Sequence, residues 1–107
     1  MDTIRVSLSL REAVLKIEEA IVRGSTSGEL IDKYYLNDQV VVLVFEKYYM
    51  RAANRLTLTV TVDSLEGATR VHYVGGGGSQ SIFYRFDWGA SQNFAEGLRL
   101  SLTPYII

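Results

Sequence analysis

Apolar and polar positions alternate along most of the chain, and the period of alternation changes from two to about four and back. Thr3–Leu8 sets Ile4, Val6 and Leu8 against Thr3, Arg5 and Ser7, which predicts a strand. The pattern then shifts at Ser9. Ser9 followed by Glu12 has the spacing of a capping box, in which the hydroxyl accepts the N3 amide and the carboxylate accepts the Ser9 N–H. Leu10, Val14, Ile17 and Ile21 form one apolar stripe, widened by Ala13 and Ala20, and predict a helix over Leu10–Arg23 with Gly24 at C′. Glu12 with Lys16 and Glu19 with Arg23 have i,i+4 ion-pair spacing.

A run of strands follows. Glu29–Tyr35 reads as a strand with no clear buried face, and Leu36–Gln39 as a turn. Val40–Tyr49 is a long strand, apolar on both faces as far as Phe45. Residues 50–54 connect it to Leu56–Asp63, where Leu56, Leu58, Val60 and Val62 alternate with Thr57, Thr59, Thr61 and Asp63. Ser64–Ala68 is expected to turn the chain into a strand over Thr69–Val74. Ser81–Phe86 fits either a short sixth strand or an ordered loop. Asp87 suits an N-cap, and Trp88–Leu102 predicts a second helix with Trp88, Ser91, Ala95, Leu98 and Leu102 on one face and Phe94 beside it. Gly89 and Gly97 weaken that helix, Pro104 fits just past its end, and the apolar tail Tyr105–Ile107 is expected to pack down.

The order β-α-β4/5-α, with short turns between strands, favours an antiparallel meander. Two amphipathic helices would cover one of its faces. The expectation is an α+β fold of two layers, a sheet of five to six strands carrying both helices on one side, in the manner of TBP-like and helix-grip folds. Because Val40–Phe45 is apolar on both sides, something should cover the second face: residues 82–86, the tail or a second subunit. Self-association through Val40, Val42 and Val44, or through their odd-numbered neighbours, is the corresponding expectation.

Composition narrows the function classes. At 107 residues the chain is expected to be one domain, 1–107, and a hydrophobic fraction of 48% suffices for its core. Eleven basic against twelve acidic residues leave a formal net charge of -1, which argues against a dedicated nucleic-acid or anionic-membrane binder. With no cysteine there is no disulfide framework, thiolate metal site or cysteine nucleophile. The N-terminal residues lack the pattern of a signal peptide and no apolar run reaches the length of a membrane span, so a cytoplasmic location is expected.

Two stretches carry candidate chemistry. The first is "YVGGGGSQ", residues 73–80. It has no Lys where a phosphate loop requires one, and no βαβ unit surrounds it. Its simpler reading is a bulged corner; its functional reading is a small anion nest or the gate of a cavity beneath the C-terminal helix. The functional reading gives a candidate ligand site of Gly75, Gly76, Gly77, Gly78, Arg85 and Asp87, with Tyr73 and Trp88 as apolar walls. The second stretch, "FEKYYMRAANR", interleaves Lys47, Arg51 and Arg55 with Tyr48 and Tyr49. Such mixtures suit stacking and anion contacts, or simply a strand end with snorkelling cations. His72 is the sole histidine, and alternation sets it beside Arg70 and Val74, opposite Val71 and Tyr73. No catalytic residues, metal ligands or cofactor motifs stand out.

The strings "LVFEKYYMR", "GGGGSQ" and "FDWGASQNF" resemble those of a family of small bacterial proteins of unknown function, about this length. That resemblance covers nearly the whole chain and implies a stand-alone domain, but no activity and no site residues. The leading expectation is a non-enzymatic binding or interaction module, with a small apolar pocket between sheet and C-terminal helix for an unnamed small molecule. A structural protein dimerising through its sheet is the alternative, and an unrecognised enzyme the third.

Overall fold

The computed structural model describes residues 2–23, 28–49, 54–77 and 94–107. Among the described residues there are five strands: β1 (Asp2–Val6), β2 (Glu29–Asn37), β3 (Val40–Tyr49), β4 (Asn54–Glu66) and β5 (Ala68–Gly77). Between β1 and β2 lies helix α1 (Leu10–Glu18), continued by a π-helical turn over Glu19–Arg23. Residues 94–102 form α2, and a 3-10 turn over Thr103–Tyr105 contains Pro104. The sheet is antiparallel throughout, in the order β1-β5-β4-β3-β2.

The predicted capping box forms. Glu12 N–H donates to Ser9 Oγ at 3.2 Å, and Ser9 N–H donates to Glu12 Oε1 at 2.9 Å. Two donors that the first helical turn would leave unpaired are thereby satisfied. Glu12 is thus a cap rather than a partner for Lys16, whose ammonium instead lies 5.6 Å from the centre of the Tyr105 ring.

One face of the sheet and both helices share a single core. It takes Ile4 and Val6 from β1, Val41, Leu43 and Phe45 from β3, Leu56, Leu58, Val60 and Val62 from β4, and Val71 and Tyr73 from β5. Ala13, Val14, Ile17 and Ile21 meet them from α1 and its π-helical turn, and Phe94, Ala95, Leu98 and Leu102 from α2. Period-2 alternation explains the strand half of this list, and every predicted inward residue of β4 is buried.

Several boundaries differ from expectation. β1 ends at Val6, so Leu8 packs on the core from a bend. Leu36 and Asn37 belong to β2, and only residues 38–39 turn. Ser64–Glu66, expected in a turn, extend β4 past a register shift, and Gly67 alone reverses the chain at φ 95°. Glycine tolerates that left-handed backbone because it has no Cβ. Asp63, expected to face solvent, is buried: its Oδ1 accepts from Arg70 Nε and from Leu65 N–H, both at 3.1 Å. The tail does dock, as expected. Ile106 bridges Val6, Ile107 N–H donates to the Arg5 carbonyl at 3.0 Å, and Ser7 N–H donates to the Tyr105 carbonyl at 2.8 Å.

Candidate functional site

The two candidate stretches, well separated in sequence, meet at one end of the sheet. Gly75, Gly76 and Gly77 pair with Leu58, Thr57 and Leu56 of β4. The same part of β4 pairs on its other side with β3, Leu56 with Lys47 and Arg55 with Tyr48. Gly75–Gly77 are therefore a continuation of β5 and not the corner that their composition suggested. Among the described residues Gly67 is the glycine with positive φ, so these three do not build an anion nest of alternating hand. They lie close against β4: a Cβ on Gly76 would stand 3.3 Å from Thr57 Oγ1.

Alternation also splits the basic and aromatic patch. Lys47 is opposite Leu56, on the helix side of the sheet, whereas Tyr48 and Arg55 face the other side. Arg55 Nη1 donates to Glu46 Oε1 at 2.6 Å, so its charge is already met by a carboxylate. Tyr73 points into the core, 4% exposed, and its hydroxyl donates to Asp2 Oδ2 at 3.3 Å. Arg99 Nη1 donates to the same oxygen at 2.5 Å. Burial pushes the Tyr73 phenol above its ordinary range. Tyr73 is thus a tie between β1, β5 and α2 rather than the wall of an open site. The side chain of Tyr49 is not described, and Gly78, Arg85, Asp87, Trp88 and Arg51 lie outside the described residues, as do the alternatives for residues 81–86.

The second face expected from Val40–Phe45 is the one opposite the helices, on the side of Val42 and Val44, and what sequence reading missed is its extent across the sheet. One row of paired residues crosses all five strands: Thr3, His72, Thr61, Val42 and Tyr34. His72 does lie on this side, as alternation required, and it has a partner: its Nδ1 is 2.7 Å from Thr3 Oγ1. The next row holds Val74, Thr59, Val44 and Asp32. Val42 and Val44 are half-buried, while Tyr34, Tyr48 and Val74 are exposed. Charges gather at the two ends of the face. Arg70 binds Asp63 and Glu66, and Arg5 binds Glu66, at one end; Glu46 and Arg55 pair at the other. The result is an apolar and hydroxyl-bearing centre with charged residues at its two ends.

Between the sheet and the described helical residues, by contrast, the core side chains pack together, most of them fully buried. Clefts among the described residues lie elsewhere. One of about 360 Å³ runs between α1 and Tyr105, and another of about 600 Å³ is bounded by Ser7, Ser9, Gly67 and Ile107. No group of three or more His, Asp or Glu among the described residues is placed to hold a metal ion, and no described helix is long and apolar enough to cross a membrane.

In comparison with known proteins, residues 2–106 match a family of unknown function (DUF6054), nearly the whole chain. No curated protein and no solved structure matches it.

Proposed function

The chain belongs to the DUF6054 family of unknown function, and from its geometry we propose a non-enzymatic interaction domain whose open sheet face receives a protein partner. The single observation that carries this reading is the row Thr3–His72–Thr61–Val42–Tyr34, an unbroken strip over five strands with no described element packed on it. Threonine hydroxyls and the His72 ring offer hydrogen bonds, and the valines offer area that gains from leaving water. The rim charges are already paired with one another, so they contribute little affinity and act on orientation.

The test is photo-crosslinking in cells. A photoreactive residue at position 59, at the centre of the open face, is compared with one at position 15, an exposed site on α1. Discrete heavier protein adducts from position 59 and none from position 15 are expected. Absence of adducts from position 59, or the same adducts from both positions, overturns the reading. An adduct made of two copies of this chain would instead support the dimer alternative.

A further inference from the structure

We propose that the free edge of β2 pairs antiparallel with β2 of a second copy, across a two-fold axis at Tyr34, joining two five-stranded sheets into one of ten strands. This is a surface distinct from the open face.

The two edges of the sheet are treated differently by the rest of the chain. The outer edge of β1 is covered by the tail, through the Val6–Ile106 bridge and the main-chain bonds of Ser7 and Ile107. The outer edge of β2 has no such cover: among the described residues β2 is paired only with β3, and all nine of its residues are exposed. Leu30, Ile31, Tyr34, Tyr35 and Leu36 are large apolar or aromatic side chains left in water on this one strand. An exposed edge strand of that composition is a template for another strand.

Two devices that usually block edge pairing are present, and they define the register rather than prevent it. β2 is irregular near Ile31 and near Leu36, which confines regular pairing to Asp32–Tyr35. Lys33 is an inward-pointing charge, but its Nζ donates to Glu18 Oε2 at 2.7 Å. The ammonium is drawn toward the α1 side, and no described strand pairs with the outer edge.

Charge then selects the axis. A two-fold axis normal to the sheet keeps every residue on its own face, so the central residue meets itself. Centring on Asp32 opposes two carboxylates, and centring on Lys33 opposes two ammonium groups, both unfavourable. Centring on Tyr35 sets the irregularity at Leu36 in the first flanking pair. Centring on Tyr34 stacks Tyr34 on Tyr34 on the open face and places each Lys33 opposite Tyr35 on the helix face, with no like charges opposed.

The axis position makes the test specific. Tyr34→Lys and Tyr34→Asp each put like charges face to face at the axis, yet Tyr34 is 61% exposed, so both variants fold. In sedimentation velocity the unaltered chain is expected to dimerise, and each variant alone to associate at least about tenfold more weakly. An equimolar mixture of the two should recover the dimer, because the ammonium introduced in one variant would then face the carboxylate introduced in the other. A second readout uses the absence of cysteine: Tyr34→Cys should form an intermolecular disulfide under mild oxidation, and Leu15→Cys should not. A parent chain that stays monomeric at millimolar concentration overturns the proposal. So do variants that dimerise undiminished, or a mixture that fails to recover dimer. Crosslinking from position 59 of the unaltered chain reads the open face, whereas sedimentation and disulfide formation read the edge, so this proposal and the face proposal fail separately.

Discussion

Among the described glycines Gly28 has the least room for a side chain, and adding one methyl group there is a sharp test of the core. The residue is buried, and its N–H donates to the Ile21 carbonyl at 2.7 Å, joining the π-helical turn to the start of β2. A Cβ at this position would stand 2.8 Å from Ile21 Cγ2 and 3.0 and 3.1 Å from Phe94 Cε1 and Cζ. Contacts that short require a neighbour to move. Neither can move toward solvent, because Ile21 is 0% and Phe94 2% exposed. Overpacking of this kind costs about 1–3 kcal/mol. Against it, alanine loses less chain entropy than glycine on folding, worth about 0.4–1 kcal/mol where the backbone suits it, and Gly28 lies outside the positive-φ region. The net expectation for Gly28→Ala is a loss of about 1–2 kcal/mol, or a fall in Tm of about 5–15 °C for a chain of this size.

The assay is urea and thermal unfolding followed by circular dichroism, run as a double-mutant cycle with Phe94→Leu. Alone, Phe94→Leu leaves a void and destabilises. In the Gly28→Ala background the smaller side chain relieves the clash, so its cost should shrink by at least about 0.5 kcal/mol. A Gly28→Ala protein as stable as the parent would refute the contact geometry. Strict additivity in the cycle would show that Phe94 is not the residue the methyl group meets.

Three further substitutions bear on register, capping and titration. Val60→Asp should unfold or strongly destabilise the chain by burying an unpaired carboxylate, while Thr59→Asp, one residue away on the open face, should stay within about 0.5 kcal/mol of the parent in the same melts. Ser9→Ala should cost about 1 kcal/mol, seen as a lower urea midpoint with unchanged slope, since both bonds of the capping box depend on that residue's placement. Tyr73 holds its proton more tightly when folded than the ordinary 10.0, mainly through burial, so its contribution is complete below that pH and is lost as pH rises through the folded value. Lys33, raised above 10.5 mainly by its bond to Glu18, loses its contribution in the same direction. Tyr73→Phe should therefore flatten part of the fall in Tm above pH 10.0, and Lys33→Met another part; an alkaline limb unchanged in both variants would refute the assignment.

The parts of this fold legible in the sequence are those where a local rule and the tertiary structure agree. Ser9 and Glu12 declare the start of α1 because capping is a contact within four residues. The alternation Leu56–Val62 declares its own buried face because β4 lies inside the sheet with one side on the helices. β2 has no buried side at all, so nothing in its pattern could orient it. Gly75–Gly77 misled for the opposite reason: glycine has poor strand propensity, and only the long-range pairing with Leu58, Thr57 and Leu56 holds these residues extended. Lys47 and Tyr48 read as one patch because they adjoin in sequence, although a strand sends neighbours to opposite faces. The open row across five strands was invisible for the same reason as the glycine pairing. Registers between β1, β5, β4, β3 and β2 depend on contacts up to about seventy residues apart, such as Thr3 with His72.

Tyr34 connects the two proposed surfaces and so couples how they would act. It ends the row Thr3–His72–Thr61–Val42–Tyr34, and it lies on the proposed two-fold axis. In a β2-paired dimer the row would run unbroken across ten strands, and the two open faces would look the same way. A partner with two matching sites would then gain by an intramolecular second contact, without any new residue on the face. A partner with one site would gain nothing. Tyr34→Lys separates the cases. If the face acts alone, adducts from position 59 in the Tyr34→Lys variant do not change when Tyr34→Asp chains are mixed in. If two faces act in concert, the same adducts fall with the loss of dimer and return when Tyr34→Asp chains are mixed in. Unchanged yield in a variant shown to be monomeric would sever the link between edge and face.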